Sequence, residues 1–280
     1  IKFHYDAEAY HLTTQAWILN SKITLGLSKF FIWHGHSSLY EYLNSVLSFQ
    51  GNFIYQHYLN LIFFSLFINF IGYHLLKNEN KLFFNSSLFL FFFAIFDNFG
   101  VGGGSNGFLQ IQMVGKPDVA VGVVYLIAAL FLIYNIYISP PDYSEFLFLL
   151  ILLTYLIQVR VISFSLIFLI IPFLIKNYKI VKPMLFSKYS ILIIFYNIIW
   201  LIKNLINSAC LFFPLQQSCI TSLSWNVEST LNNINKTYST WVYAYKFDRS
   251  FFIFLDNWFN AGNNWQQVPN LVISLVLLTI

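Results

Sequence analysis

Apolar residues come in long blocks along this chain rather than in the short periods of a soluble helix or strand. Six blocks are apolar enough to sit in lipid: Tyr58 to Leu76, Leu82 to Phe96, Val119 to Ile138, Glu145 to Ile157, Val161 to Ile175 and Ser190 to Ile206. A spanning helix needs about 20 residues, so the fourth and fifth blocks read as too short for a full crossing and as the two arms of a hairpin around Gln158-Val159-Arg160. The pattern predicts an all-α fold, a polytopic transmembrane helical bundle forming one domain over residues 1–280. Polar loops at 1–57, 97–118 and 207–270 separate its spans. The chain opens on a polar segment without Met and stops inside a ten-residue apolar run, 271–280, so it reads as a fragment cut at both ends.

Lysine placement orients the spans, because cytoplasmic loops hold the excess of Lys and Arg. Lys176, Lys179, Lys182 and Lys188 crowd what reads as one short loop, and Lys77 and Lys81 fill another. An even number of crossings must separate the two, which puts Arg160 at the outer tip of the hairpin and all three long loops outside. Within the first of these, Ser38 and Glu41 have capping-box spacing, and Leu39, Leu43, Val46 and Leu47 recur at helical intervals. That stripe predicts a helix lying on the membrane surface with its apolar side down.

Composition excludes a soluble fold. Hydrophobic residues make up 58% and charged residues 9%, whereas an ordinary soluble domain is about a quarter charged. The 33 Phe, with many Ile, Asn, Tyr and Lys, fit an AT-rich coding sequence, so no single Phe marks a site. Cys210 and Cys219 fall in a predicted external loop and can pair in an oxidising compartment, although two cysteines alone make no framework. Trp225, Trp241, Trp258 and Trp265 in the large loop suit either the headgroup zone or a platform for a sugar ring or lipid head.

The candidate chemistry lies in the predicted loops. His4-Tyr5-Asp6-Ala7-Glu8-Ala9-Tyr10-His11 is the densest polar cluster, and Trp33-His34-Gly35-His36 follows it. Two carboxylates with imidazoles can take a proton from an acceptor hydroxyl or hold a divalent cation at Asp6; a solvated surface loop has the same composition. Arg160, set between apolar segments, suits phosphate recognition or snorkels to the headgroups. Lys116-Pro117-Asp118 adds a cation and an acid on the same outer face. The glycines at 100, 102, 103, 104 and 107 lack the ending of a phosphate loop and read as a flexible connection.

The stretch Asp6-Ala7-Glu8-Ala9-Tyr10-His11-Leu12, the following Trp17, the His34-Gly35-His36-Ser37-Ser38 segment, Lys116-Pro117-Asp118 and Ser208-Ala209-Cys210-Leu211-Phe212-Phe213-Pro214 together resemble the GT-C glycosyltransferases. Uncharacterised bacterial relatives of the dolichyl-phosphate-mannose-protein mannosyltransferase type are most similar. The resemblance covers about two-thirds of the chain and rests on short motifs. It implies a polyprenyl-phosphate-linked sugar donor, a glycan, lipid or protein acceptor, and a periplasmic active face in a bacterial inner membrane. It makes Asp6 the catalytic candidate with Glu8 as its neighbour, and His11, His34, His36, Lys116, Asp118 and Arg160 the substrate-binding candidates. Ala7 separates the two acids where the commoner pattern has them adjacent, which leaves their roles and any divalent cation unassigned. Membrane lipid is an expected partner, and nucleic acid is not. A lipid-linked oligosaccharide polymerase, a flippase or another transporter is the alternative; such proteins place ionisable groups at midplane, where these spans hold almost none.

Overall fold

The computed structural model describes residues 11–36, 38–48, 53–98, 117–233 and 264–277. Among these residues the fold is all-α, without strands. The chain divides into two compact units, one made of 2–63 and 114–228, the other mainly of 64–113 and 229–280.

Four antiparallel-stepping helices form the body of the first unit: α6 (Asp118–Tyr137), α7 (Tyr143–Val159), α8 (Ile167–Leu185) and α9 (Lys188–Ser208). Their directions follow from side-chain contacts. Arg160, at the end of α7, reaches Asp118 at the start of α6. Lys176 and Asn177 on α8 donate to the carbonyls of Ile136 and Asn135 at the end of α6. Tyr143 at the start of α7 donates to Ser187 beside the start of α9, 2.9 Å away. Each helix therefore runs opposite to the one before it. The start of α6, the end of α7 and the end of α9 gather at one end of the unit, and the lysines of α8 and α9 gather at the other.

Membrane spanning follows from length and composition. Ile54–Lys77, Asp118–Tyr137, Val161–Leu185 and Lys188–Ser208 are each long and apolar enough to cross. The chain is a multi-pass membrane protein. In α6 more than half of the apolar window, 56%, is buried inside the protein, against 17% in α9. Packing on both α7 and α8 makes α6 the inner helix of this unit, while α9 turns most of its surface outward.

Two sequence expectations need correcting. Of the two blocks that read as too short, the first stays short of a span, since α7 holds 17 residues; it starts at Tyr143 because Asp142 and Glu145 form a reciprocal capping box, with Glu145 N to Asp142 Oδ1 at 2.7 Å and Asp142 N to Glu145 Oε2 at 3.2 Å. After Arg160 a 3₁₀ segment, Val161–Leu166, leads straight into α8, which continues to Leu185. Lys176, Lys179 and Lys182 thus ride on a helix rather than in a loop. Lysine ends an apolar window without ending a helix, since its helix propensity is high. Lys176 also caps the carbonyl end of α6, where the helix dipole favours a cation.

The region before the first span is also more helical than expected. It holds α1 (Leu12–Asn20), α2 (Leu27–Phe30), a 3₁₀ turn at Ile32–His36 and α3 (Leu39–Val46). The capping box of α3 is present as its sequence predicts. The stripe faces outward: Val46 is 68% and Leu43 39% exposed, while Tyr40, Glu41, Asn44 and Ser45 are buried. A polar face turned to protein and an apolar face turned out suits a helix bordering lipid.

In the second unit, α4 (His57–Lys77), which begins in the first, is followed by α5 (Lys81–Phe93) and a π-helical turn, Ala94–Asn98. His74 stacks on Phe83 at 4.7 Å and meets Phe70 edge-on at 4.6 Å. Helix α10 (Asn264–Val276) packs on α5 and on the π turn, where Asn270 donates to Phe96 O at 3.3 Å. Residues 264–270, expected in an external loop, are therefore the first turns of a helix; their polar side chains hid a helix that starts before its apolar run.

Candidate functional site

The gathered helix ends enclose a cavity of about 500 Å³, a size typical of small-molecule sites. Its apolar lining comes from α6 and the α7–α8 junction, including Val121, Ile157 and Val161, and its polar lining includes His36, Asp118, Gln158, Arg160 and Asn204. Phe212, Phe213 and Pro214 form a wall from the loop after α9.

Arg160 is held at the rim by backbone geometry. It is the one extended residue between α7 and the 3₁₀ segment, with φ −145° and ψ 132°. Its guanidinium donates to Asp118 at 3.2 Å, and the two side chains are 38% and 60% exposed. An ion pair this exposed contributes little to stability and exchanges readily for another anion.

His36 sits on the 3₁₀ turn, stacked on Trp33 at 5.7 Å and edge-on to Phe213 at 4.8 Å. Burial pushes its pKa down to about 3, with the positive charges of Arg160 and His11 acting in the same direction. It therefore serves as a neutral imidazole at physiological pH. The turn is close-packed: a Cβ on Gly35 would stand 2.6 Å from the Phe213 ring. A disulfide, Cys210–Cys219, closes the neck of the loop that carries Phe213. Asn204 on α9 donates to Leu211 O at 3.0 Å and fixes the same loop from below.

Gln158 links the cavity lining to a polar cluster between apolar helices. Asn197 on α9 donates to Thr154 Oγ1 at 2.9 Å and accepts from Gln158 Nε2 at 3.0 Å. These neutral bonds join α7 to α9 next to the cavity, as polar side chains do between membrane helices.

A second group lies behind the cavity wall. His11 Nδ1 and Glu41 Oε1 are 2.7 Å apart, with side chains 5% and 1% exposed. The other Glu41 oxygen accepts from the backbone N–H of Ser38, a cavity-lining residue, at 2.9 Å. Thr14 bonds His34 Nδ1 at 2.9 Å, and Asn207 donates to His34 O at 2.9 Å. Burial lowers the pKa of His34, and the charge of Glu41 works against that shift.

Of the residues singled out from sequence, His36, Asp118 and Arg160 line one cavity, and His11 and His34 form the buried group behind it. Asp6, Glu8 and Lys116 lie outside the described residues. Among those described, no three His, Cys, Asp or Glu side chains come together as a metal site. Trp225 is a structural lock, donating to Leu205 O at 2.9 Å. Trp241 and Trp258 lie outside the described residues, as does the side chain of Trp265.

A profile for the family described as "Domain of unknown function (DUF8201)" matches residues 1–280. The chain belongs to the DUF8201 family. No curated protein and no solved structure matches it.

Some of this site in the DUF8201 chain escapes a reading by sequence. Glu41 reads as a helix cap and is also the partner of His11. Gln158 and Asn204 read as neutral interruptions of apolar runs. The available signal was their spacing: Thr154 and Gln158 lie one helical turn apart, so both can face Asn197.

Proposed function

We propose that this membrane protein transfers a sugar from a polyprenyl-phosphate donor to an acceptor at the periplasmic face of a bacterial inner membrane. The observation that carries the reading is the meeting of Arg160, Asp118 and His36 in one amphipathic cavity, at the end of the helices opposite the lysines. A lipid tail suits the apolar side of that cavity, where Ile162 is 72% exposed. The phosphate suits the Arg160 guanidinium, whose planar fork matches it. A disulfide at the same end fits an oxidising compartment.

The resemblance to GT-C enzymes supplies the catalytic acid. Asp6 precedes His11 by five residues, and His11 is anchored through Glu41 to the Ser38 edge of the cavity. In the proposed step, the acceptor oxygen bonds to the anomeric carbon and its proton passes to Asp6. The bond from that carbon to the phosphate oxygen breaks, and polyprenyl phosphate leaves with inverted configuration at the sugar.

The second reading is a flippase, polymerase or other transporter of lipid-linked sugars, and the half-buried Thr154–Asn197–Gln158 chain between the apolar helices α7 and α9 favours it. Transfer of labelled sugar from polyprenyl-phosphate donors by the purified protein separates the two. Asp6→Asn is expected to lower transfer on the order of 10²–10⁴-fold, the size of a general-base contribution. Full activity in that variant removes Asp6 from the mechanism, and movement of lipid-linked sugar without transfer establishes the transport reading.

A further inference from the structure

The wall of the cavity is incomplete on one flank. On α6, Val121, Gly122 and Tyr125 lie three, four and seven residues after Asp118 and so share its face of the helix. The 3₁₀ segment Val161–Leu166 stands opposite. The two backbones scarcely approach one another, and long side chains bridge them instead. At one end Arg160 reaches Asp118 at 3.2 Å. At the other, the Tyr125 hydroxyl donates to Ser165 Oγ at 2.7 Å, a direction set by the Ser165 proton, which goes to Ile162 O at 2.8 Å.

Between these two ties the cavity opens sideways. Gly122 and Ile162 line it and are at the same time exposed, Ile162 to 72%. A glycine inside a helix costs about 1 kcal/mol relative to alanine, and membrane helices commonly use one to bring a neighbouring backbone close. Gly122 does not serve that purpose, because a Cβ there would meet nothing within 4 Å. What its missing side chain leaves is open space in the gap.

The ties also set the size of the opening. Seven residues of helix rise about 10 Å, and contact distances of about 4 Å around the bridging side chains leave roughly 6 Å clear. One hydrocarbon chain passes such a gap, and two side by side do not.

We propose that this gap is a side portal that admits the single tail of a polyprenyl phosphate and turns away two-chain phospholipids. The inference rests on the lipid-phosphate reading above and adds to it the path and the selection of the lipid. Selection is needed because every phospholipid also carries a phosphate that the Arg160 guanidinium can accept, so charge alone does not tell the two kinds of lipid apart. When a phosphate takes Arg160, the headgroup itself replaces Asp118 at one edge of the gap. The Tyr125–Ser165 bond remains as the fixed edge.

The test uses the full chain in phosphatidylcholine nanodiscs, with binding of undecaprenyl phosphate, geranyl phosphate and phosphatidic acid read by native mass spectrometry. The wild type is expected to prefer undecaprenyl phosphate to phosphatidic acid. Gly122→Phe is expected to weaken undecaprenyl phosphate about tenfold, as a steric misfit does. Geranyl phosphate, whose short tail stays inside the cavity, should be little changed in the same variant. Tyr125→Phe removes the fixed edge and should raise phosphatidic acid binding severalfold. Should Gly122→Phe fail to fold, judged by its melting temperature, Tyr125→Phe decides alone, and unchanged phosphatidic acid binding then overturns the portal. A folded Gly122→Phe protein that loses both isoprenoid phosphates equally, or neither, overturns the portal and leaves the lipid-phosphate reading standing. Equal binding of phosphatidic acid and undecaprenyl phosphate by the wild type overturns the selection. A wild type that binds neither isoprenoid phosphate sinks the lipid-phosphate reading, and the portal falls with it.

Discussion

His11 with Glu41 and Arg160 with Asp118 are two acid–base contacts in the same unit, and they differ in almost every respect. The first is 2.7 Å long with side chains 5% and 1% exposed. The second is 3.2 Å long with side chains 38% and 60% exposed. A buried carboxylate needs all its partners, and Glu41 has a ring nitrogen on one oxygen and the Ser38 N–H on the other. An exposed pair is screened by water and can be exchanged for a ligand. The buried contact therefore holds α1 against α3 behind the cavity wall, and the exposed one offers a cation to whatever enters. Residues of similar chemistry thus divide into scaffold and site by solvent access.

The sharpest way to break this comparison is Glu41→Ala. It leaves His11 without its carboxylate and opens the capping box of α3 at once. Removing one partner of a buried pair costs about 3–5 kcal/mol. The variant is expected to lose most of its thermal stability in detergent, while Glu41→Gln, which keeps the N-terminal cap of the helix, loses less. Equal melting temperatures for wild type and Glu41→Ala would make the His11 contact dispensable.

A smaller effect is expected from Cys210→Ser with Cys219→Ser. The bridge closes the loop whose Phe213 packs on Gly35 and His36. Disulfides typically contribute about 2–4 kcal/mol. Because Asn204 and Leu211 still hold the loop, local loosening is expected rather than unfolding. Hydrogen exchange should rise at 211–218 with little change in α6 and α7. Unchanged exchange in the loop would show that the packing of Phe213 suffices without the bridge.

What was legible in the sequence follows the same division between scaffold and site. Three of the four spans and the α3 capping box are written in block length and short spacing, which are local properties. The partner of Glu41 lies 30 residues away in sequence, and no local pattern marks it. Glu145 stands in an apolar block as an apparent exception, yet it caps the helix whose length the block understated. The outward-facing stripe of α3 was readable as periodicity, but which side faced protein depended on the bonds of Glu41 and Tyr40. Tyr40 donates to Asn60, at the start of α4.

The gentlest perturbation is Asp118→Asn, and it tests the exposed half of the comparison directly. Asp118 and an anionic ligand compete for the same guanidinium. The amide keeps the size of the side chain and removes its charge. Stability should move by no more than about 1 kcal/mol, because exposed pairs contribute about 0–1 kcal/mol. Affinity for polyprenyl phosphate should rise severalfold in the wild-type Arg160 background, and the gain should disappear in Arg160→Ala. Moderate salt should shrink the difference, since the contact is open to screening. A fall in affinity would mean that Asp118 orients the guanidinium for its ligand rather than competing with it. The exposed pair would then be a preorganised part of the site, closer in kind to the His11–Glu41 contact behind it.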